Sequence, residues 1–123
     1  MGLDIVEIDR ARSILARFGK QALRRFLTES ERAYVTSRED PAPYFAVRVA
    51  AKEAAYKALQ SLPGMRGVGW QDLEVTRRSD GRPELRLSGQ AAALPSRYTL
   101  LLSLTHTHVA AAAVVVLTDR PTG

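Results

Sequence analysis

Val49-Ala50-Ala51-Lys52-Glu53-Ala54-Ala55-Tyr56-Lys57-Ala58-Leu59 reads as a buried helix that carries three charges. At about 100° per residue, Ala46, Ala50, Glu53 and Lys57 fall on one stripe, where small side chains let another backbone or a ligand come close. A Glu–Lys pair four residues apart is common on exposed helices and is worth about 0.2–0.5 kcal/mol. An exposed helix needs a continuous polar face, however, and almost every other position here is apolar. An ionised group buried without a partner is costly, so Lys52, Glu53 and Lys57 call for partners or a bound ion. The full helix is predicted over about residues 44–62, stopping at Pro63-Gly64.

Ahead of it, Gly2-Leu3-Asp4-Ile5-Val6-Glu7-Ile8 reads as a strand. An Asp near the start of a strand can cap a turn, pair with a surface arginine, or join Glu7 and Asp9 in a solvated acidic edge. Strict alternation instead puts Asp4 on the side of Val6 and Ile8, the apolar side. There it needs a cation. Asp4 and Glu53 together offer two hard oxygen ligands, suited to Mg²⁺, which leaves positions for water and a substrate phosphate. With Lys52 and Lys57, the set suggests a site for a cation and for phosphate.

The remaining pattern completes an α+β chain. Ile14, Leu15, Phe18, Ala22, Leu23 and Phe26 have helical spacing over residues 9–26, with arginines on the outer face. Thr28-Glu29-Ser30-Glu31 is a capping-box signature opening a short helix to about Ser37. Residues 39–43 read as a loop, and 63–69 as a glycine-rich loop. Leu73, Val75, Leu85 and Leu87 mark two strands around an Asp80-Gly81 turn. Strands are predicted over 98–104 and 109–117, joined by the tight Thr105-His106-Thr107-His108 segment, with a polar tail after them. Helices first and strands afterwards predict a single domain over 1–123, an antiparallel sheet packed on a long central helix.

Composition narrows the function classes. The 123 residues suffice for one domain with a real core. Without cysteine there is no disulfide, thiolate metal site or Cys nucleophile, which suits a cytosolic setting. No apolar run approaches the roughly 20 residues of a membrane span, and the start does not resemble a secretion signal. A net charge of +5 calls for an acidic partner. Arg10, Arg12, Arg17, Lys20, Arg24, Arg25 and Arg32 crowd the first third, opposed there by Glu29 and Glu31. One reading of that charge is a small basic module that grips nucleic acid. Phe18 and Phe26, at positions a helix would bury, do not offer the exposed aromatic platform that single strands stack on. That reading also leaves Asp4, Glu53 and the lysines without a purpose.

Other motifs are weak. His106 and His108 lack a third histidine or cysteine for zinc, and no Gly-x-Ser-x-Gly elbow supports a hydrolase. Gly64-Met65-Arg66-Gly67-Val68-Gly69 lacks the Gly-Lys-Ser/Thr ending of a phosphate loop.

Taken together, the segments resemble one family. Leu3-Asp4-Ile5-Val6-Glu7-Ile8, Phe26-Leu27-Thr28-Glu29 and Arg48-Val49-Ala50-Ala51-Lys52-Glu53-Ala54 with Lys57-Ala58-Leu59 are similar to the holo-acyl-carrier-protein synthases. Trp70-Gln71-Asp72-Leu73-Glu74-Val75, Asp80-Gly81-Arg82-Pro83 and Leu102-Ser103-Leu104-Thr105-His106-Thr107 continue the likeness in the same order. The chain departs from the family pattern at Val49, where an aromatic is common, and at Gln60-Ser61-Leu62-Pro63, which intervenes before Gly64. It also has fewer residues ahead of the Gly-x-Asp segment.

The resemblance implies a transfer of the 4'-phosphopantetheine arm of coenzyme A to a serine of apo acyl carrier protein, releasing adenosine 3',5'-bisphosphate. It implies Asp4 and Glu53 as Mg²⁺ ligands, and Lys57 beside the pyrophosphate. Arg48, His106 and Thr107 would line the coenzyme A site, with Gly81 and Pro83 near the adenine. Arg10, Arg17, Arg24 and Arg25 would dock the acidic carrier protein. Glu53 or a metal-bound water would take the serine proton. A cytoplasmic homotrimer with its site between subunits, binding neither membrane nor nucleic acid, completes the expectation.

Overall fold

The computed structural model describes residues 1–120, so the predicted polar tail at 121–123 lies outside the described residues. The elements run β1 (Gly2–Glu7), α1 (Ile8–Phe18), α2 (Lys20–Phe26), α3 (Glu29–Thr36), α4 (Ala42–Leu59), β2 (Leu73–Arg77), β3 (Pro83–Leu87), β4 (Tyr98–His106) and β5 (Ala110–Asp119). Short 3₁₀ turns at Trp70–Asp72 and Gly89–Ala93 flank the β2–β3 hairpin. The strands form an antiparallel sheet in the order β1-β5-β4 and a separate two-stranded sheet, β2-β3. The α+β architecture is as predicted; the single sheet of the sequence reading is divided in two.

Helix α4 is the central element, and its alanines explain why. Eleven of its residues are buried, among them Ala46, Ala50, Ala51, Ala54, Ala55 and Ala58. Such small side chains let the sheet approach closely, and nowhere more so than at Gly2. A Cβ there would lie 1.8 Å from the Ala54 carbonyl oxygen, so β1 crosses α4 backbone to backbone. That crossing brings Asp4 to the charged end of the helix.

Element ends differ from the prediction for local reasons. The helix α4 starts two residues before the predicted 44, because Pro43 sits in its first turn, where the missing N–H has no partner to lose. It ends at Leu59 rather than 62, and the chain then turns through the glycine-rich loop, whose Met65 and Val68 plug the core. The single helix predicted over 9–26 is two. Gly19 has φ 52°, a conformation costly for other residues, and it stops α1 while opening α2. The capping box at Thr28 forms as predicted: Thr28 Oγ1 accepts from the Glu31 N–H and Glu31 accepts from the Thr28 N–H. β4 runs on through His106, so that histidine belongs to a strand and not to the turn.

Candidate functional site

Alternation along β1 is as predicted. Gly2, Asp4 and Val6 face inward while Leu3, Ile5 and Glu7 are exposed. From α4, Lys57 reaches across and donates to Asp4 Oδ1 at 3.0 Å and to the Leu3 carbonyl at 3.1 Å. The Glu53–Lys57 surface pair that helical spacing would allow is therefore replaced by a bond between two elements. Glu53 stands one turn before Lys57, half-buried, in a cleft with Tyr56, Val68, Gly69, Trp70 and Leu73. It makes no ion pair among the described residues.

Asp4 and Glu53 carry the hard carboxylate oxygens that a divalent cation takes. Asp4 is mostly shielded, its side chain 18% exposed. Among the described residues no three His, Cys, Asp or Glu side chains come together as a cage. Two carboxylates with the remaining positions left to water and phosphate is the arrangement typical of Mg²⁺.

Lys52 has a different role from the one its spacing suggested. Its ammonium is fully buried and donates to Glu31 Oε1 at 2.5 Å, to the Phe26 carbonyl at 2.6 Å and to the Trp70 carbonyl at 3.0 Å. All three N–H donors are used, so Lys52 has none to offer a phosphate. Burial holds this lysine below its ordinary pKa, against the pull of Glu31 in the other direction. Sequence reasoning missed Glu31 as the partner, because its capping-box position already accounted for it. Lys57 is likewise not interior: its side chain is 47% exposed, at the rim.

A second cleft lies between α3, α4, the β2–β3 hairpin and β4. It gathers Arg48, Pro83 and His106 from the predicted coenzyme residues, together with Glu31, Tyr34, Tyr44, Val75 and Arg77. Arg48 donates to the Tyr44 carbonyl and stacks on Tyr34, 4.6 Å from the ring centre. Its Nε is buried without a partner, and burial lowers its pKa from the ordinary arginine value. A buried guanidinium N–H without a partner calls for an acceptor. Tyr44 also meets the His106 ring at 6.1 Å. Tyr34 and Tyr44 were not singled out from sequence; their spacing to Arg38 and Arg48 gave a signal, since both arginines stack on Tyr34.

Thr107 lines an adjoining cleft that shares Tyr44 and His106, and its Oγ1 accepts from the Val109 and Ala110 N–H groups that close the β4–β5 turn. Gly81 sits in the tip of the hairpin, outside these linings, where its carbonyl accepts from Arg77. Within one chain, then, Glu53 and the Asp4–Lys57 pair do not line the cleft that holds Arg48, Pro83 and His106.

Arg10, Arg17, Arg24 and Arg25 are all exposed on α1 and α2. Arg12 is spent on Asp40 and Arg32 on the Leu27 carbonyl. Phe26 is packed edge-on against Phe45 and Trp70. Phe18, expected at a buried position, is 49% exposed at the end of α1, with the Arg17 guanidinium 5.3 Å from its ring centre.

Known proteins are similar to this chain over most of its length. The family model of the 4'-phosphopantetheinyl transferase superfamily matches residues 1–114. A holo-acyl-carrier-protein synthase from Syntrophotalea carbinolica is 45% identical over 120 residues, covering 94% of this chain and 92% of that protein. Among solved structures, the Helicobacter pylori holo-acyl-carrier-protein synthase in complex with coenzyme A is 31% identical with a TM-score of 0.79, over 95% of this chain and 98% of that one. The Bacillus anthracis holo-acyl-carrier-protein synthase, in complex with CoA (3',5'-ADP), is 32% identical with a TM-score of 0.77, over 98% of this chain and 95% of that one.

Proposed function

The chain belongs to the 4'-phosphopantetheinyl transferase superfamily, and we propose that it moves the phosphopantetheine arm of coenzyme A to a serine of apo acyl carrier protein with Mg²⁺ held by Asp4 and Glu53. The observation that carries the site assignment is the bond from Lys57 to Asp4 beside a half-buried Glu53 that makes no ion pair among the described residues.

Transfer of a phosphoryl-linked group is mostly a matter of positioning and charge neutralisation. When bound, Mg²⁺ supplies Lewis-acid polarisation of the phosphate oxygens. The chain's own residues do the rest. Asp4 is held by Lys57, so its second oxygen is oriented before any ligand arrives. Lys57, at the rim, offsets the charge that builds on the departing adenosine 3',5'-bisphosphate. Glu53 accepts the proton of the attacking serine hydroxyl. Arg48, with its free Nε, and His106 hold the nucleotide end of coenzyme A, while Pro83 and Gly81 bring the hairpin towards the adenine. Thr107 borders the same end. The exposed Arg10, Arg17, Arg24 and Arg25 attract the acidic carrier protein.

A homotrimer with its site between subunits is part of this reading, and two observations support it. The outer face of the main sheet is apolar: Leu3 and Ile5 on β1 are 60% and 64% exposed, and Leu101 on β4 is 55% exposed. They are in register with Val114, Ala112 and Val116 of β5. Such a patch marks an interface in a soluble protein. The separation of the Asp4–Lys57 pair and Glu53 from the Arg48–His106 cleft within one chain also suits a site completed by a neighbour. Among the described residues no helix is long and apolar enough to cross a membrane. The cytoplasmic setting proposed here goes with the absence of cysteine.

The test follows release of adenosine 3',5'-bisphosphate from coenzyme A in the presence of apo carrier protein. Wild-type chain should release it with Mg²⁺ and stop on chelation, and Glu53→Gln should release none while keeping its circular dichroism spectrum. A near-normal rate in Glu53→Gln would overturn the assignment of that residue.

A further inference from the structure

Glu31 and Lys52 form a polar junction between α2, α3, α4, the turn before β2 and β2 itself, elements whose other contacts include the Phe26–Phe45 and Phe26–Trp70 ring pairs. Lys52 of α4 holds the last carbonyl of α2 at Phe26 and the carbonyl of Trp70 in the turn before β2. Glu31 Oε1 takes that ammonium and also the Thr28 N–H that opens α3. Its other oxygen, Oε2, accepts from the Val75 N–H in the middle of β2, at 2.9 Å. Both carboxylate oxygens and all three ammonium protons are thereby used. The pair also stands in the wall between two clefts, Lys52 lining the one with Glu53 and Glu31 lining the one with Arg48, Pro83 and His106.

The hairpin needs such an anchor. β2 and β3 make a sheet of their own, paired with no other strand among the described residues, and an isolated two-stranded hairpin is marginal in water. Its inward side chains Leu73, Val75, Leu85 and Leu87 pack on the α4 core, but apolar contact is non-directional and tolerates sliding. A hydrogen bond from a backbone N–H to a buried carboxylate is directional and charge-assisted. We propose that the Glu31–Lys52 pair is a positioning element for the reaction: through Val75 it fixes the β2–β3 hairpin, with Pro83, against α4, and so sets the shape of the coenzyme A cleft.

The inference rests on the reading of the Arg48–Pro83–His106 cleft as the coenzyme site. Glu31→Gln and Glu31→Asp both break it. Glutamine presents an NH₂ group to one of the N–H donors, and aspartate cannot span Lys52 and Val75 together. Val75→Pro removes the anchored N–H and sets its ring against Glu31 Oε2 while both charges stay in place, so it breaks the anchor by a second route that leaves Glu31 and Lys52 unsubstituted. Arg48→Ala tests the cleft itself, and Val115→Ala, in the core behind the main sheet, supplies a destabilised control.

Coenzyme A affinity by calorimetry and steady-state kinetics are the readouts, with hydrogen exchange of the hairpin amides. The Glu31 and Val75 variants should raise the Kd and KM for coenzyme A about tenfold or more while kcat at saturation stays within about threefold. Hairpin amides should exchange faster, with α4 unchanged. Coenzyme A affinity unaltered in these variants, or altered equally in Val115→Ala, would overturn the proposal while leaving the cleft reading in place if Arg48→Ala weakens binding. Unaltered affinity in Arg48→Ala would overturn the cleft reading and the proposal with it.

Discussion

Lys57 bonds to Asp4, 53 positions away in the chain, and not to Glu53 four positions before it on the same helix. The choice has two consequences. Asp4 is oriented by the helix that β1 crosses at closest approach, where Gly2 meets the Ala54 carbonyl. Glu53 is left half-buried and makes no ion pair among the described residues, which is what the proposed role as a cation ligand calls for.

Lys57→Ala separates these roles. The Lys57–Asp4 pair is partly exposed, and pairs of that kind contribute about 0–1 kcal/mol to stability. The melting temperature should therefore shift little, while turnover falls by about 10²–10³, the usual cost of removing one charge-stabilising donor. Thermal denaturation beside kinetics checks it. A large loss of stability with little loss of rate would make Lys57 a structural residue.

Lys52 should behave in the opposite way. Lys52→Met leaves Glu31 buried without its cation, which costs about 3–5 kcal/mol. Pairing it with Glu31→Gln removes the stranded charge, so the double variant should be more stable than Lys52→Met alone. Urea unfolding of wild type, the two single variants and the double variant measures the coupling, and simple additivity would contradict the role assigned to the pair.

Carrier-protein docking predicts a salt effect. Reversing the exposed Arg17 and Arg24 to Glu should lower kcat/KM for the carrier protein by about tenfold or more at low salt and leave kcat nearly unchanged. The wild-type value should fall as ionic strength rises and screening shortens. A wild-type kcat/KM indifferent to salt would count against the basic helices as the docking face.

A smaller effect belongs to acid. The Arg12 guanidinium beside Asp40 holds that carboxyl below its ordinary value, helped by the Ala42 N–H. A depressed folded-state pKa contributes stability above the unfolded-state value and loses it as pH falls through the folded one. Arg12→Ala should therefore lie slightly below wild type at neutral pH, and the two melting curves should converge in acid. The pair is exposed, so the gap is small; a gap that widens on acidification would reverse the sign of the argument.

Much of this was legible in the sequence where the cause was local. Period-two alternation turned Asp4 inward, the Thr28 capping box opened α3, and the alanines of α4 announced close packing. What was not legible depended on distance. Glu31 looked complete as a cap, and only the fold brings Lys52, 21 positions away in the chain, and the Val75 N–H onto its two oxygens. The helical spacing over 9–26 runs straight across Gly19, whose positive φ divides the helix in two. Pro41 and Pro43 looked like a loop because proline stops a helix in its interior, yet the first turn accepts it.

The most direct test is the intact mass of apo acyl carrier protein after incubation with this chain, coenzyme A and Mg²⁺. Asp4, Glu53 and Lys57 acting together predict a gain of one phosphopantetheine arm, abolished by chelator and by Glu53→Gln. An unchanged mass with wild-type chain, or a gain that persists in the chelator-treated sample, would contradict a metal-dependent transfer at this site.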